Sequence, residues 1–477
     1  MSTSNATPEH HAIVGAGLVG SLLGLMLAQR GYKVTIYDRR SDPRNSNALE
    51  GRSINLALSD RGWKALEKAG VADRVRKIAL PIKGRRMHDH FGNETLQLYG
   101  VGDQCIYSVS RSGLNLILVE AAEENPLLEV KFDHVSTGYE ITDKDDKAGV
   151  NLSFKNRNAI LHDRIFGADG AFSVIRENMT HTSRFDYSQQ YLPHGYKEIP
   201  MSPNADGGFR MSEDGLHIWP RGKFMLMALP NPGGSFTCTL FAPYEGEESF
   251  KNIKSDEDVR AFFNRHFPDT IPHLPTLIQD WNTNPVSSLC SVKCHPWNIN
   301  SRVVIIGDAA HAIVPFFGQG MNSGFEDCTI LSSLIDEAVP TSEGDWKALL
   351  DEYTRLRKPD GDAILDLALH NYIVMRDKTA DPKFLLQKRI EARITAAHSN
   401  RWKPLYTLVT FSHIPYAEAW AKGEVQQAVM NEIMASHNIS EKWESDEIVE
   451  RAIKLLDDYE SGSSTIAHPS PLLSTDA

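Results

Sequence analysis

The chain has 477 residues, more than a single hydrophobic core usually serves, so two or three domains are expected. Its composition, 41% hydrophobic and 23% charged, is that of a globular protein and excludes the disordered and fibrous classes. Acidic residues outnumber basic ones, 62 to 50, and the net charge of -12 offers no general field for a polyanion, so no nucleic-acid partner is expected.

The first eleven residues are polar and hold no apolar core of a secretory signal, and no later segment has the 18 or so uninterrupted apolar residues of a membrane span. Five cysteines (Cys105, Cys238, Cys290, Cys294, Cys328) form an odd, sparse set that suits free thiols in a reducing compartment. The expectation is a soluble, cytoplasmic protein. Cys290 and Cys294 lack a second pair at ligand spacing and read as small buried hydrophobes, so no metal site is expected.

In chain order, the apolar run Ala12-Ile13-Val14 leads into Gly15-Ala16-Gly17-Leu18-Val19-Gly20 and then a helical stretch from Ser21 to Arg30. Gly15 permits the tight turn, Gly17 lets backbone amides approach a pyrophosphate, and Gly20 lets the helix pack close to the strand. A second strand, Lys33 to Tyr37, ends at Asp38, 21 residues beyond Gly17, where a carboxylate can accept ribose hydroxyls. This is a dinucleotide-binding unit. It does not separate FAD from NAD, and Arg39 and Arg40 read equally as a phosphate site or as solvated charge.

Further on, Lys83-Gly84-Arg85-Arg86-Met87 is a basic cluster that reads on its own as surface charge. The alternating strands Phe224 to Leu229 and Ser235 to Phe241, joined by Asn231-Pro232-Gly233-Gly234, predict an antiparallel sheet. Arg302 to Ile306 reads as a buried parallel strand ending in Gly307-Asp308-Ala309-Ala310-His311, followed by the glycine-bearing loop Pro315 to Asn322. Asp308 is placed to accept hydrogen bonds from the ribityl chain of a flavin. A helix is expected over Asp351 to Arg376, and the Ser-, Pro- and Thr-rich tail reads as disordered from about residue 461.

Taken together, the GxGxxG start, the Asp169-Gly170 pair within Ile165 to Ala171 and the Gly307 to His311 loop resemble the class A flavin monooxygenases, the para-hydroxybenzoate hydroxylase group. Gly51 to Leu58, Ser108 to Arg111, Tyr187 to Tyr191 with His194 to Tyr196, His217 to Pro220, Val314 to Asn322, and Pro404 to Tyr406 with Val409 to Ser412 resemble those members that hydroxylate an aromatic amino acid. The likeness runs from about residue 10 to 435.

The resemblance implies FAD as cofactor, NADPH as co-substrate, O2 and a small aromatic amino acid as reactants, and no side chain acting as a catalytic nucleophile. It implies FAD contacts from Gly15, Gly17, Val19, Gly20, Tyr37, Asp38, Arg39, Arg40, Ala57, Arg111, Ser136, Asp169, Val174, Asp308, Met321 and Asn322, with Asp169-Gly170 also near the nicotinamide. Arg85, Tyr99, Asn371 and Tyr406 are implied to hold the amino-acid end of the substrate, as a carboxylate in a partly dehydrated pocket requires. Met225, Met227, Phe241 and Phe317 are candidates for the apolar slot around the ring. Arg86, if it is the solvated neighbour of Arg85, should tolerate alanine with little change in substrate affinity.

The resemblance implies an α/β fold: a discontinuous Rossmann-like FAD-binding domain (10–75, 105–180, 290–350), an inserted antiparallel-sheet substrate domain (76–104, 181–289), a helical C-terminal region (351–460) and a tail (461–477). Eukaryotic relatives end in a membrane anchor, whereas charges interrupt the segment from Glu424 to Tyr459 here, so no anchor is expected. A homodimer stays open. So do a hydroxylase of another aromatic acid such as anthranilate or salicylate, a flavin-dependent dehydrogenase, and a scaffold without flavin.

Overall fold

Apolar β-branched runs near the two ends of the chain meet in one sheet. The computed structural model describes residues 8–45, 55–100, 102–142, 148–375 and 381–462. Its six-stranded sheet runs, edge to edge, Asn298–Ile299, Val303–Ile305, Arg164–Gly167, His10–Val14, Lys33–Tyr37 and Leu128–Lys131. All neighbours are parallel except the first pair. Ile13 stands between Phe166 and Ile36, and Phe166 stands beside Val304. Strands buried on both faces need apolar residues throughout, which is why these runs do not alternate.

One face carries the helices Leu18–Ala28, Arg111–Glu123 and Gly320–Ala338. The other carries a three-stranded meander, Ser136–Thr142, Gly149–Phe154 and Arg157–His162. Pleating divides the Lys33–Tyr37 strand between them: Ile36 reaches toward Gly24 of the first helix, while the Tyr37 ring packs on Phe154 and His162 of the meander.

A seven-stranded sheet lies beside this unit, in the order Ser287–His295, Asp186–Met201, Phe236–Pro243, Phe224–Pro230, Gly215–Arg221, Gly84–His88, Glu94–Leu98. Its neighbours are antiparallel except for the parallel pair Gly84–His88 and Gly215–Arg221. Phe224, Leu226 and Ala228 share one core with Val259, Phe262 and Phe263 of the helix Asp256–His266. Met225, Met227 and Leu229, on the opposite face, join a second core with Phe316, Phe317 and the long helix Glu343–Ile373. The expected boundary at 290 is corrected here: it falls inside Ser287–His295, whose Cys290 and Lys293 pair with Tyr191 and Ser188 in the seven-stranded sheet.

The long helix starts before Asp351, because the Ser342 hydroxyl accepts from the Asp345 amide and the Asp345 carboxylate accepts from the Ser342 amide in a capping box. The helices Pro382–Ala397, Tyr416–Met434 and Asp446–Glu460 close around their own core of Ile390, Ile394, Val429, Ile433, Ile448 and Leu456. All five cysteines are free. Residues 51–54 of the Gly51 to Leu58 motif, Arg376, and the tail from residue 463 lie outside the described residues. No helix among the described residues is long and apolar enough to cross a membrane.

Candidate cofactor and substrate site

The glycine turn at the N-terminus separates what the fold needs from what a ligand needs. Gly15 has φ +108°, and a Cβ there would stand 2.5 Å from the Ala168 carbonyl oxygen; a Cβ on Gly20 would stand 1.9 Å from the Gly15 carbonyl oxygen. Both positions are closed by backbone. A Cβ on Gly17, by contrast, would meet nothing within 4 Å. Gly17 caps the helix Leu18–Ala28, no side chain caps that end, and no acidic residue stands in its first turn. Unpaired amides facing open space suit a pyrophosphate.

Asp38 accepts the Ala16 amide at 2.7 Å and the Arg40 amide at 2.8 Å, and the Arg40 guanidinium adds bonds of 3.0 and 2.8 Å. Burial raises the pKa of this carboxyl, but these donors outweigh it and hold the value below the ordinary one. Its four lone-pair positions are filled, so a ribose hydroxyl bound there would have to displace the exposed Arg40 side chain. Arg39 is also exposed. Tyr37 meets the turn only through its carbonyl, which accepts from Gly15, since its hydroxyl lies 3.1 Å from His162 Nε2. Ser136 is buried with a hydroxyl lacking any hydrogen-bond partner, two residues from His134, whose amide donates to the Asp38 carbonyl.

The second half of the cradle is brought beside the first by Val19. Its side chain lies 3.1 Å from a Cβ built on Gly307, itself at φ +62° and ψ −140°, so the glycine turn and the Gly307 to His311 loop are in contact. Asp308 is exposed to solvent, yet protein packs closely around its carboxyl. That crowding raises its pKa, while the Arg111 guanidinium and His311 oppose the shift. Asp169 accepts from the Val174 amide at 2.7 Å and the Ile175 amide at 3.2 Å, fixing the start of the helix Val174–Met179. Asn322 uses its amide on the Ala57 carbonyl (2.8 Å), the Gly318 carbonyl (2.9 Å) and the Ser59 amide (3.0 Å), so it clamps two segments together. Half-buried Met321 follows the first residue of Gly320–Ala338.

Three supporting residues escaped sequence reasoning. Arg176 donates to the Ala309 and Ala171 carbonyls, at 2.8 and 2.5 Å, and ties the loop after Asp169 to the loop after Asp308. Asp327, fully buried, accepts from the Gly307 amide (3.1 Å), His311 (2.5 Å) and Arg357 (2.8 Å). Asn115 donates to the Ala16 carbonyl at 3.1 Å. Only the Asp169 to Arg176 spacing carried a signal.

At the substrate end, the Tyr99 and Tyr406 rings stack with centroids 5.0 Å apart and planes 16° apart. The Arg85 guanidinium carbon lies 5.5 and 5.0 Å from those centroids. Burial raises both phenol pKa values, opposed by the Arg85 charge, so both hydroxyls stay protonated donors. Phe317 extends the stack from Tyr406 at 5.6 Å. Met225, Phe241 and Phe317 are buried and Met227 is half-buried, all in the core that holds Tyr99 and Tyr406. Asn371 meets this group through the loop, donating to the Phe316 carbonyl at 2.6 Å.

The expectation for Arg86 is corrected. It is not a solvated neighbour: its guanidinium bonds Asp214 at 2.9 and 2.7 Å and also pairs with Glu94. Arg85, whose strand neighbour is thus neutralised, makes no ion pair with a carboxylate among the described residues.

The family described as "FAD binding domain" matches residues 10–368. A kynurenine 3-monooxygenase of Flavobacterium psychrophilum is 48% identical over 446 residues, covering 93% of this chain and 98% of that protein. One from Christiangramia forsetii is 44% identical over 449 residues, covering 93% and 98%. Among solved structures, 2-methyl-3-hydroxypyridine-5-carboxylic acid oxygenase superposes with a TM-score of 0.64 at 19% identity, over 79% of this chain and 95% of that one. Tetracycline destructase Tet(55) superposes with 0.61 at 16% identity, over 86% and 98%. Those structural likenesses speak for the fold. With an uncapped pyrophosphate seat, an orphaned buried hydroxyl, and the Asp308 carboxyl beside Arg111 fitting FAD, the chain belongs to the kynurenine 3-monooxygenase family of FAD-binding enzymes.

Proposed function

We propose that the chain hydroxylates L-kynurenine to 3-hydroxy-L-kynurenine, using FAD, NADPH and O2, as a step of tryptophan catabolism. The observation that carries this reading is Arg85: a cation that makes no ion pair with a carboxylate among the described residues, backed by two stacked phenols beside an apolar core. A substrate α-carboxylate there gains a charge-assisted contact from Arg85 and hydrogen bonds from the Tyr99 and Tyr406 hydroxyls. Met225, Phe241 and Phe317 line the apolar slot for the ring.

When bound, FAD would supply the redox and dioxygen chemistry, with NADPH as the reductant. The protein's own share is positional. Asn371 holds the Phe316 carbonyl and with it the Phe317 ring; Asn322 and Gly318 keep the loop against Ala57; the packed aromatic wall excludes water. The reading also places the enzyme in the cytoplasm, where its five thiols stay reduced.

The test is NADPH oxidation by the FAD-loaded protein with L-kynurenine, anthranilate and salicylate in parallel, with product mass read under labelled dioxygen. Kynurenine is expected to stimulate oxidation and to gain one labelled oxygen atom. Stimulation by anthranilate or salicylate alone would overturn the substrate assignment, and unlabelled product would overturn the reaction.

A further inference from the structure

No metal site was expected from the cysteines, yet the seven-stranded sheet carries a ligand set on the face opposite Arg85. Alternation along Gly84–His88 sends Arg85 to one side and Arg86 and His88 to the other. His88 Nε2 lies 2.8 Å from His217 Nδ1, and a Glu94 carboxylate oxygen joins them, all within 4.8 Å of one another. Three neighbouring strands, Gly215–Arg221, Gly84–His88 and Glu94–Leu98, each supply one group.

The surroundings orient these atoms as ligands. His217 Nε2 lies 2.8 Å from the Ser212 carbonyl, so that nitrogen carries the proton and Nδ1 presents its lone pair to the cluster. His88 stacks on Trp219 at 4.1 Å, and its Nδ1 faces Asp269 at 3.9 Å. The proton that His88 now directs at His217 can therefore move to Nδ1, opposite a carboxylate, which frees Nε2. Both rings are buried, which disfavours their charged forms.

We propose that His88, His217 and Glu94 bind a divalent cation of the zinc class, with water as fourth ligand, fastening the Arg85 strand and its edge partner to the sheet. Zinc bonds of about 2.0 to 2.1 Å in tetrahedral geometry separate two ligand nitrogens by roughly 3.3 Å, so the rings part by about half an ångström. Glu94 leaves Arg86 to reach the cation, and Arg86 keeps its two bonds to Asp214. Glu94 is partly exposed at the sheet edge, which gives the cation an entry. Arg85 lies on the reverse of the same strand and Tyr99 follows the edge strand directly, so the cation firms the seat of the substrate carboxylate.

The FAD-loaded full chain, stripped with chelator, is titrated with Zn²⁺ alone, and bound zinc is counted by equilibrium dialysis beside His88→Gln and Glu94→Gln. The wild type is expected to hold one zinc per chain more than His88→Gln, and zinc should raise its melting midpoint but not that of the variant. Glu94→Gln should weaken that zinc by at least about ten-fold. Equal stoichiometry and affinity in the wild type and both variants overturns the site. If His88→Gln fails to retain flavin, Glu94→Gln decides alone: unchanged zinc affinity in that variant also overturns it.

Discussion

Asp308 is a carboxylate held where its charge is costly until a ligand arrives. Its folded pKa is raised, chiefly by the protein packed around it. Between the unfolded value, near 4, and the higher folded one, the folded state binds more protons, so stability falls as pH rises through the folded value. At neutral pH this direction works against the charged form in the flavin-free fold, by an amount that the exposure of Asp308 to solvent reduces. Asp308→Asn is expected to raise the melting midpoint of the flavin-free protein at neutral pH and to flatten its dependence on pH. The same change should weaken FAD binding by about ten- to a hundred-fold, because it replaces charge-assisted acceptance by a neutral amide. A melting midpoint that drops, with flavin affinity unchanged, would place the ribityl contact elsewhere.

Arg85 and Arg86 are adjacent in sequence and opposite in role. With Arg85 pairing the substrate carboxylate as proposed, Arg85→Ala is expected to cost about 3 to 5 kcal/mol, or roughly two to three orders of magnitude in kynurenine affinity. Arg85→Lys should recover part of this, since an ammonium cannot make the planar contact of a guanidinium. Arg86→Ala is expected to lower stability by roughly 1 kcal/mol through its partly exposed pairs, with flavin content unchanged. Substrate titrations and urea melts on the three variants separate the effects. Only the family resemblance distinguished the two arginines, and the local pattern did not, because an ion pair with Asp214, some 130 residues away, leaves no trace in it. Asp327 was hidden for the same reason: its partners Gly307, His311 and Arg357 are set by tertiary packing.

Among the elements, the glycine turn predicts two kinds of failure within six residues. Gly17→Val adds a side chain where nothing stands within 4 Å, so the chain should fold and lose flavin because the pyrophosphate seat is filled. Gly20→Val forces a Cβ to within 1.9 Å of a backbone oxygen, so it should expel the first helix from the sheet and yield little folded protein. Circular dichroism with flavin absorbance distinguishes them; a folded, fully yellow Gly17→Val removes the phosphate assignment. This unit was legible because strand, turn and helix are contiguous and each has its own period. The start of the long helix was partly legible: Ser342 and Asp345 have the spacing of a capping box that begins nine residues before the expected start at Asp351. The strand Ser287–His295 was not, since only its pairing with Asp186–Met201 reveals which sheet it joins.

For the molecule as a whole, the C-terminal layer defines where the chain can be cut. The helix Asp446–Glu460 buries Ile448, Val449, Ala452 and Leu456 against Ile390, Ile394 and Val429. Ending the chain after Gly462 should preserve flavin content and turnover, whereas ending it before Asp446 uncovers this core and should give aggregation or loss of the layer that carries Tyr406. Size-exclusion profiles and NADPH oxidation of the two truncations test this. Activity lost on cutting after Gly462, with the fold intact, would assign the tail a role at the pocket.

The six-stranded sheet also sets a timetable for synthesis. His10–Val14 and Val303–Ile305 flank the same strand, Arg164–Gly167, although about 290 residues separate them along the chain. At roughly 5 to 20 residues per second, a ribosome that has released the glycine turn needs on the order of tens of seconds more to deliver Asp308. Through that interval the flavin seat is half built, and from the point where Arg164–Gly167 has been made its far edge stays unpaired until Val303–Ile305 follows. Flavin can therefore be captured with full affinity only after roughly the first two-thirds of the polypeptide is made, and the unfinished edge needs shielding until then, which makes aggregation during expression depend on elongation rate and chaperone supply as well as on final stability.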